Sequence, residues 1–264
     1  MPSQPNPIEN KIAVITGAGQ GIGAALARQC AAAGAAGIVV ADLRAETAEA
    51  VAAAIGPRAI ALQCDVGREE GLQALARAAR ERFGRIDLFF SNAGILGRNG
   101  GLEIDDAIWD SMWRIHVMAH VWAARAVLPG MVEQGGGAFV VTASAAGLLN
   151  IVENPPYAVT KHAAVGFAEW LRIAWGRRGI NVHCLCPQAV DTPLIAEGGG
   201  SAALNGTLSP EDVASAVAAT LASGEFLCLP HPQVIDYLRN KAGDYDRWLG
   251  GMQKIYMKHV PEGR

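Results

Sequence analysis

The stretch IAVITGAGQGIG at residues 12–23 decides the fold class, because a β-branched run passes directly into clustered glycines. Residues 12–16 predict a buried strand, and the Ala-rich residues 23–33 predict a helix. Glycines at such a junction let the backbone turn tightly, and they let a pyrophosphate approach the helix N-terminus. The stretch therefore predicts the first strand, turn and helix of a nucleotide-binding α/β sheet.

The same order of strand and helix repeats along the chain. The apolar runs rarely alternate with polar residues, which indicates strands buried on both faces of a parallel sheet. We therefore expect a Rossmann-like, doubly wound parallel sheet of about seven strands with helices on both faces. Further strands are predicted at 37–41, 59–63, 86–90, 138–142, 180–185 and 225–229, and helices at 45–55, 69–83, 107–134 (interrupted at Pro129) and 157–175.

The chain is expected to form one domain. Residues 1–10 are polar and carry three prolines, so they predict a flexible N-terminal tail. Residues 11–264 contain no linker or repeat and are expected to fold as a single dinucleotide-binding and catalytic domain. Within it, the Gly-, Ala- and Ser-rich residues 193–208 predict a mobile substrate loop. Residues 231–264 predict a helical C-terminal segment.

Composition and charge exclude several classes of function. The chain has 22 Lys and Arg against 25 Asp and Glu, a net charge of −3, and it lacks a basic stripe that would bind nucleic acid. No apolar run approaches the ~20 residues that span a bilayer, and no export signal is recognisable, so we expect a cytoplasmic protein without a membrane partner. The five cysteines are expected to be buried thiols. No metal site is expected, because in a strand His183 points away from Cys184 and Cys186.

Asp42 follows the second predicted strand, about 20 residues after the glycine loop. An acid at this position accepts hydrogen bonds from the adenosine ribose hydroxyls and repels a 2′-phosphate. The alternative is a solvated aspartate at a strand end, and Arg44 leaves room for NADP. We expect NAD as the cofactor, in preference to NADP.

Tyr157 and Lys161 stand four residues apart at the start of a predicted helix, so both side chains can face one pocket. A phenol with a pKa near ~10 is a poor proton acceptor at neutral pH, and a nearby ammonium lowers that pKa. Ser144, just past the fifth strand, can hydrogen-bond a substrate oxygen. An ordinary amphipathic helix also explains a lone Tyr-x-x-x-Lys, so the motif is weak when it stands alone.

Taken together, these motifs resemble those of the short-chain dehydrogenase/reductase family, in its single-domain branch. The resemblance runs from about residue 11 to residue 192 and keeps the order and approximate spacing of the family's motifs. The matching residues are Thr16-Gly17-x-x-x-Gly21-x-Gly23, Asp65, Asn92-Ala93-Gly94, Ser144 and Tyr157-x-x-x-Lys161.

The resemblance implies a role for each matched residue. Tyr157 is the expected general base in oxidation and general acid in reduction. Lys161 is expected to lower the pKa of Tyr157 and to bind the nicotinamide ribose, and Ser144 to position the substrate oxygen. The expected cofactor-binding residues are Gly17, Gln20, Gly21, Ile22, Gly23, Asp42, Asp65, Val66, Asn92, Ala93, Gly94, Tyr157, Lys161, Pro187, Val190 and Thr192.

Two positions depart from the family pattern. The family often has an Asn in the long helix before the fifth strand, where a kink exposes a backbone carbonyl, and here His116 takes that place. We group His116 with the catalytic residues, because imidazole hydrogen-bonds and titrates near neutrality. The alternative is that it only fills space. Gln188 follows Pro187 where the family usually has glycine, which adds a side chain near the nicotinamide and the substrate.

The expected substrate residues indicate the kind of molecule that reacts. Most are apolar, which favours a hydrophobic or aromatic secondary alcohol or the matching ketone. They are Leu96, Leu149, Gln188 and Leu194, with Ile195 in the predicted loop.

The sequence also leaves two other functions open and indicates an oligomeric state. A catalytically silent NAD-binding sensor or scaffold is the alternative from another class. An epimerase or dehydratase is disfavoured because the chain is short and lacks a second substrate domain. The Ala-rich helices at 107–134 and 157–175 resemble the family's subunit contacts and imply a homodimer or homotetramer.

Overall fold

Seven parallel strands form one sheet within the residues that the structure describes, in the order β3-β2-β1-β4-β5-β6-β7. The structure is a computed structural model, and it describes residues 6–194 and 200–260. Neighbouring strands pair in parallel throughout, as the runs of apolar residues predict. The strands are β1 (Ile12–Thr16), β2 (Gly37–Asp42), β3 (Ala59–Gln63), β4 (Leu88–Ser91), β5 (Gly137–Thr142), β6 (Ile180–Leu185) and β7 (Leu227–Cys228).

Helices cover both faces of the sheet and bury two apolar cores. One core contains side chains of α3, α5 and α7, and the other contains side chains of α1, α2 and α8. The predicted doubly wound sheet is confirmed. The helices are α1 (Gly21–Ala32), α2 (Ala45–Ile55), α3 (Glu69–Phe83), α4 (Asp106–Trp113), α5 (Ala119–Glu133), α6 (Ala146–Leu149), α7 (Pro155–Trp175), α8 (Pro210–Ser223), α9 (Val234–Gly243) and α10 (Tyr245–His259).

The strand order places a crevice at one edge of the sheet. β1 pairs with β2 on one side and with β4 on the other, so the chain reverses its winding direction there. At such a switch point the connections leave in opposite directions and a gap opens at the carboxyl ends of the strands. The glycine loop after β1 and the segments after β4 and β5 all reach this edge.

The helix before β5 is irregular at a different place from the one predicted. Pro129 lies inside α5 without ending it, so the predicted interruption was wrong. A proline removes one backbone hydrogen bond, and the packing of α5 against α3 holds the helix through that position. The irregular turn lies earlier: the π-helical turn Arg114–Met118 joins α4 to α5.

This composite helix is also more apolar than expected. The stretch Asp106–Glu133 could cross a membrane by length and composition alone, whereas the sequence analysis expected no such stretch. Half of its most apolar window (50%) is buried inside the protein. Core helices pass the same test, and the packing on α3 and α7 accounts for the apolar composition.

The segments outside the sheet are more ordered than predicted where they are described. Residues 6–10 do not form a loose tail, because Ile8 is 2% exposed and packs in the core next to α1. In the predicted loop 193–208, the short helical turn Gly200–Ala203 is described, whereas residues 195–199, with Ile195, lie outside the described residues. The helical C-terminal segment is present as α9 and α10.

The five cysteines are buried free thiols, as expected. The Sγ atoms of Cys184 and Cys186 lie 3.7 Å apart. His183 instead hydrogen-bonds the carbonyl of Glu225 through Nδ1, at 2.6 Å. In strand β6 the imidazole and the two thiols therefore have different partners.

Candidate active site

A cavity of about 1020 Å³ opens at the carboxyl edge of the sheet. It contains every described residue that was predicted to bind cofactor or substrate, together with Ser144, and its described wall does not include His116. Residues from all parts of the fold line it: Gly17, Gln20, Gly21, Ile22, Gly23, Asp42, Asp65, Val66, Asn92, Ala93, Gly94, Leu96, Ser144, Leu149, Tyr157, Lys161, Pro187, Gln188, Val190, Thr192 and Leu194.

The glycine loop packs too closely against its neighbours to carry side chains. Gly17 has a φ of 63°, and a Cβ there would lie 2.8 Å from the Cα of Ala93. A Cβ on Gly23 would meet the carbonyl of Gly17 and the amide of Asn92. Gly17, Gly21 and Gly23 form a backbone cradle that lines the cavity at the start of α1, where the helix dipole favours a phosphate. This cradle fits the pyrophosphate of a dinucleotide.

Asp42 ends β2 beside the glycine loop. Its Oδ2 accepts from the Gly19 backbone at 2.9 Å, and its Oδ1 accepts from the Arg44 backbone at 3.1 Å. The Arg44 guanidinium donates to Gln20 Oε1 at 2.6 Å. Each carboxylate oxygen keeps further acceptor capacity, so Asp42 can still receive the hydroxyls of a ribose.

Asn92 joins three strand ends. Its Nδ2 donates to the carbonyl of Thr16 at 3.0 Å, and its Oδ1 accepts from Thr142 Oγ1 at 3.1 Å. The Asn92 backbone donates to Thr16 Oγ1 at 2.9 Å. The residue after β4 thus links the ends of β1 and β5, which supports the predicted role of Asn92.

The start of α7 positions Tyr157. Asn154 caps the helix, because its Oδ1 accepts from the Tyr157 backbone at 3.0 Å. Its Nδ2 donates to the carbonyl of Leu96 at 2.8 Å, which ties the helix to the segment after β4. Pro155 and Pro156 occupy the first helical turn, where a missing N–H costs nothing.

Ser144 and Tyr157 meet in the cavity. Ser144 Oγ accepts from the Ala146 backbone at 3.1 Å and donates to the carbonyl of Pro187 at 3.4 Å. Burial raises the pKa of Tyr157. A hydrogen bond from Ser144 acts in the opposite direction and lowers this pKa, and the Cys186 thiol adds a smaller upward effect. The phenol is therefore protonated at neutral pH in this arrangement, and it is ready to donate a proton.

Lys161 is buried beside the phenol. It is 3% exposed, its Nζ donates to the carbonyl of Thr142 at 3.0 Å, and Nζ lies 5.5 Å from the centre of the Tyr157 ring. Burial lowers the pKa of Lys161 to about 8, while the Cys186 and Cys184 thiols act to raise it. Lys161 was expected to lower the pKa of Tyr157. The pKa of Tyr157 is instead raised, and burial is the largest cause.

His116 supports the phenol from behind the cavity wall. It lies in the π-helical turn, its Nε2 accepts from the Ile95 backbone at 3.1 Å, and its Nδ1 lies 2.9 Å from Thr160 Oγ1. The imidazole and the Tyr157 ring meet edge to face, with centroids 5.4 Å apart. Both nitrogens are engaged, so the geometry assigns His116 a positioning role rather than the predicted contact with the reacting groups.

The expectation that His116 titrates near neutrality is wrong. Burial lowers its pKa well below the usual range, and the charge of Lys161 and the neighbouring His120 lower it further. The ring is therefore neutral under ordinary conditions. Because Nε2 accepts a hydrogen bond, the proton sits on Nδ1 and is donated to Thr160 Oγ1, which in turn donates to the carbonyl of Pro156 at 2.7 Å.

His120 was missed by the sequence analysis, although it lies one helical turn after His116. It is 1% exposed, and its Nδ1 lies 2.7 Å from Ser91 Oγ at the end of β4. Burial, and then the charge of Lys161, lower its pKa to about 3. The spacing of four residues between the two histidines was the available signal.

The lining of the cavity is more varied than the sequence suggested. Besides the predicted Leu96, Leu149 and Leu194, it includes residues from the segments after β4, β5 and β6 and from the C-terminal helices, Tyr237 and Trp248 among them. The lining residues that the sequence analysis did not single out include Asn99, Asn150, Glu153, Ser201, Asn205, Met252, Ile255 and His259.

Glu153 fastens the segment that begins at residue 200. Its Oε1 accepts from the Ser201 backbone at 2.7 Å, and its Oε2 accepts from Ser201 Oγ at 2.6 Å. His259 Nδ1 at the end of α10 lies 3.9 Å from Glu153 Oε1. One buried carboxylate therefore holds two distant segments against the cavity.

The fold and the position of the cavity at the switch point are those of a Rossmann-type oxidoreductase. The family model described as short chain dehydrogenase matches residues 11–199. The chain belongs to the short-chain dehydrogenase/reductase family.

Three relatives give the extent of the likeness. D-threitol dehydrogenase of Mycolicibacterium smegmatis is 37% identical over 190 residues, which is 71% of this chain and 73% of that protein. Cyclohexanol dehydrogenase of an Acinetobacter species is 35% identical over 196 residues, covering 73% and 78%. The crystal structure of a short chain dehydrogenase/reductase from Burkholderia phymatum in complex with NAD matches with a TM-score of 0.83 at 29% identity, covering 91% and 95%.

The positioning role of His116 predicts a mild effect of His116→Asn. An amide can replace one of the two hydrogen bonds, so we expect a kcat within about tenfold of wild type and a free energy of unfolding lower by about 1 kcal/mol. Thr160→Val, which removes the partner of Nδ1, is the matched variant and should behave alike. Steady-state kinetics and urea unfolding measure both effects. A kcat loss beyond about 100-fold in His116→Asn alone would show that the imidazole takes part in the chemistry.

Because its ammonium is buried, Lys161 is expected to be needed for activity and to lower the stability of the folded protein. Below pH 8 both folded and unfolded states hold this proton, so the wild type carries the full cost of burial. Between the folded pKa of about 8 and the ordinary lysine pKa of 10.5, the unfolded state binds more protons, and stability rises with pH. Lys161→Met should therefore abolish activity but raise the free energy of unfolding by about 1–2 kcal/mol at pH 7.

Urea unfolding at pH 7 and at pH 10 tests this expectation. The advantage of Lys161→Met should shrink at pH 10, where the wild-type lysine is largely neutral when folded. Lys254→Met, at an exposed position on α10, should change stability by less than about 0.5 kcal/mol at either pH. A Lys161→Met difference that is negative at pH 7, or that does not vary with pH, would contradict the argument from burial.

Proposed function

We propose that the protein is an NAD-dependent alcohol dehydrogenase or ketoreductase that uses Tyr157 as its proton-transfer group. The observation that carries the proposal is the meeting of Ser144, Tyr157 and Lys161 in one cavity with the glycine cradle. The intact set of three side chains also favours an enzyme over a silent NAD-binding sensor or scaffold.

The chain's own residues divide the work of the reaction. Bound NAD supplies the electron-pair acceptor for oxidation, and NADH the donor for reduction. Ser144 Oγ hydrogen-bonds the substrate oxygen and holds it beside the phenol. Tyr157 donates its proton to that oxygen in reduction and takes it back in oxidation. Lys161 stabilises the phenolate by its charge and can also hydrogen-bond the ribose.

The choice of NAD over NADP rests on Asp42. Its carboxylate lies next to the glycine loop, where it suits two ribose hydroxyls and opposes a 2′-phosphate. Arg44 does not offset this charge freely, because its guanidinium donates to Gln20. The similar structure from Burkholderia phymatum, which is in complex with NAD, supports the same choice.

The substrate in this proposal is a hydrophobic or aromatic secondary alcohol, or its ketone. Leu96, Leu149 and Leu194 line the same cavity as Ser144 and Tyr157. Two relatives are alcohol dehydrogenases by name, for D-threitol and for cyclohexanol, which supports a carbinol as the reacting group.

We further propose that the protein is a cytoplasmic homodimer or homotetramer. On α7, Val159, Trp170 and Ile173 are exposed large apolar residues, with Trp170 at 56% and Ile173 at 81%. Their spacing of 11 and 14 residues from Val159 puts them on one helical face. Trp113 on α4 is also exposed. A second copy of the chain covering this face would bury those side chains.

Removal of one phenol hydroxyl tests the central role. Tyr157→Phe should lower kcat for NAD reduction by a panel of secondary alcohols by at least about 100-fold, because the proton acceptor is lost. The Kd for NADH should change less than about threefold. Tyr256→Phe, the same change on the exposed side of α10, should leave both constants unaltered. Retained activity in Tyr157→Phe would overturn the assigned acid–base role.

The cofactor assignment predicts a shift in affinity on Asp42→Ala. The wild type should bind NADH at least about tenfold more tightly than NADPH, because Asp42 accepts ribose hydroxyls and repels the phosphate. The variant should narrow or reverse that ratio, as measured by nicotinamide fluorescence titration. Asp110→Ala, at an exposed position on α4, is the control. Tighter binding of NADPH by the wild type would contradict the assignment.

A further inference from the structure

We propose that the side-chain amide of Gln188 binds a second, uncharged oxygen of the substrate. The inference rests on the proposed function and narrows its substrate class to diols, hydroxy ketones and diketones. Gln188 replaces the glycine expected after Pro187, and its side chain lines the cavity together with Ser144 and Tyr157.

The oxygen of this amide is already used. Gln188 Oε1 accepts from Asn205 Nδ2 at 3.1 Å and from Gln233 Nε2 at 3.4 Å. Asn205 is itself fixed, because its Oδ1 accepts from the Tyr237 hydroxyl at 2.9 Å. Three side chains from two other segments thus hold the amide in one orientation.

The backbone of Gln188 is held as well. Its N–H donates to Nδ1 of His231, which is 3% exposed, at 3.2 Å. The preceding carbonyl, of Pro187, accepts from the Ala145 backbone at 2.8 Å and from Ser144 Oγ at 3.4 Å. Gln188 directly follows Pro187, whose carbonyl contacts Ser144. Its side chain therefore leaves the backbone close to the place that the reacting oxygen of the substrate would occupy.

The nitrogen of the amide supplies the donors. Within residues 6–194 and 200–260, Gln188 Nε2 donates to no protein group, so none of these residues competes with a ligand for its N–H groups. Leu149 and Ile151, which also line the cavity, offer no acceptor in their side chains. An amide donor in such a wall selects a molecule that brings an acceptor of its own.

The charges of the cavity wall favour an uncharged acceptor. Of the cationic side chains that line the described part, Arg44 lies beside the glycine loop, and Lys161 donates to the carbonyl of Thr142. His259 faces the Glu153 carboxylate. Each cationic side chain of the described lining therefore already faces a protein group, whereas the amide of Gln188 matches a hydroxyl or carbonyl oxygen of a substrate.

Gln188 has two other possible roles that an experiment must separate. If Gln188 only holds Asn205 and the segment around it, its loss would affect all substrates equally. If Gln188 binds the carboxamide of the nicotinamide, its loss would weaken binding of the cofactor. Only contact with the substrate links Gln188 to the presence of a second oxygen.

The test compares alcohols that differ by one oxygen. We expect wild-type kcat/KM with NAD to be at least about tenfold higher for cyclohexane-1,2-diol or cyclohexane-1,3-diol than for cyclohexanol, since one hydrogen bond to a held donor is gained. Gln188→Met keeps the length of the side chain without the donor and should bring this ratio close to one. Gln73→Met, at an exposed position on α3, should leave the ratio at its wild-type value.

The outcomes separate the inference from the proposed function. Equal wild-type kcat/KM for both diols and cyclohexanol, or a ratio that Gln188→Met leaves unchanged, overturns the role of Gln188 while alcohol oxidation stands. A rise in the Kd of NADH in Gln188→Met with an unchanged ratio assigns the amide to the cofactor and also overturns it.

A binding measurement covers the case in which the wild type oxidises none of these alcohols. The proposed function would then fail for this class, and the inference is decided by titrating the NADH complex with cyclohexane-1,2-dione and with cyclohexanone. Tighter binding of the dione by at least about tenfold, lost in Gln188→Met, supports the contact. Equal binding of the two ketones overturns it.

Discussion

The amide of Asn92 is the interaction on which the rest of the site depends. Parallel strands diverge at a switch point, so the segments that follow them would separate without a link. Asn92 binds the ends of β1 and β5 through Thr16 and Thr142. Lys161 donates to the carbonyl of the same Thr142. The glycine cradle, Ser144 and the ammonium are therefore held by one small network rather than by separate supports.

Burial acts in opposite directions on the two central ionisable groups. It raises the pKa of Tyr157 and lowers the pKa of Lys161, so in both cases it favours the uncharged form. A phenol that keeps its proton suits ketone reduction, and added positive charge near it would favour the reverse reaction. The two apolar cores on the faces of the sheet must offset what the buried ammonium costs.

Local sequence patterns predicted the sheet well, whereas contacts between distant segments could not be predicted from them. Short apolar runs predicted the ends of the strands to within two residues, because burial on both faces of the sheet makes each strand an apolar segment. Pro129 misled, since packing on α3 outweighs the helix-breaking tendency of proline. The motifs also located Asp42 and Tyr157. The contact between Glu153 and His259, and the hold of Asn205 on Gln188, join residues from separate segments and leave no periodic signal.

Different parts of the chain supply the proposed reacting groups and much of the remaining cavity wall. The proposed reacting groups, Ser144, Tyr157 and Lys161, lie within residues 11–199, the region that the family model matches. Much of the far wall comes from residues 200–260, fastened through Glu153 and Ser201. Exchange of that terminal piece between related enzymes would alter which molecules are accepted and leave the chemical step intact, so selectivity in this architecture can diverge without disturbing the machinery that it serves.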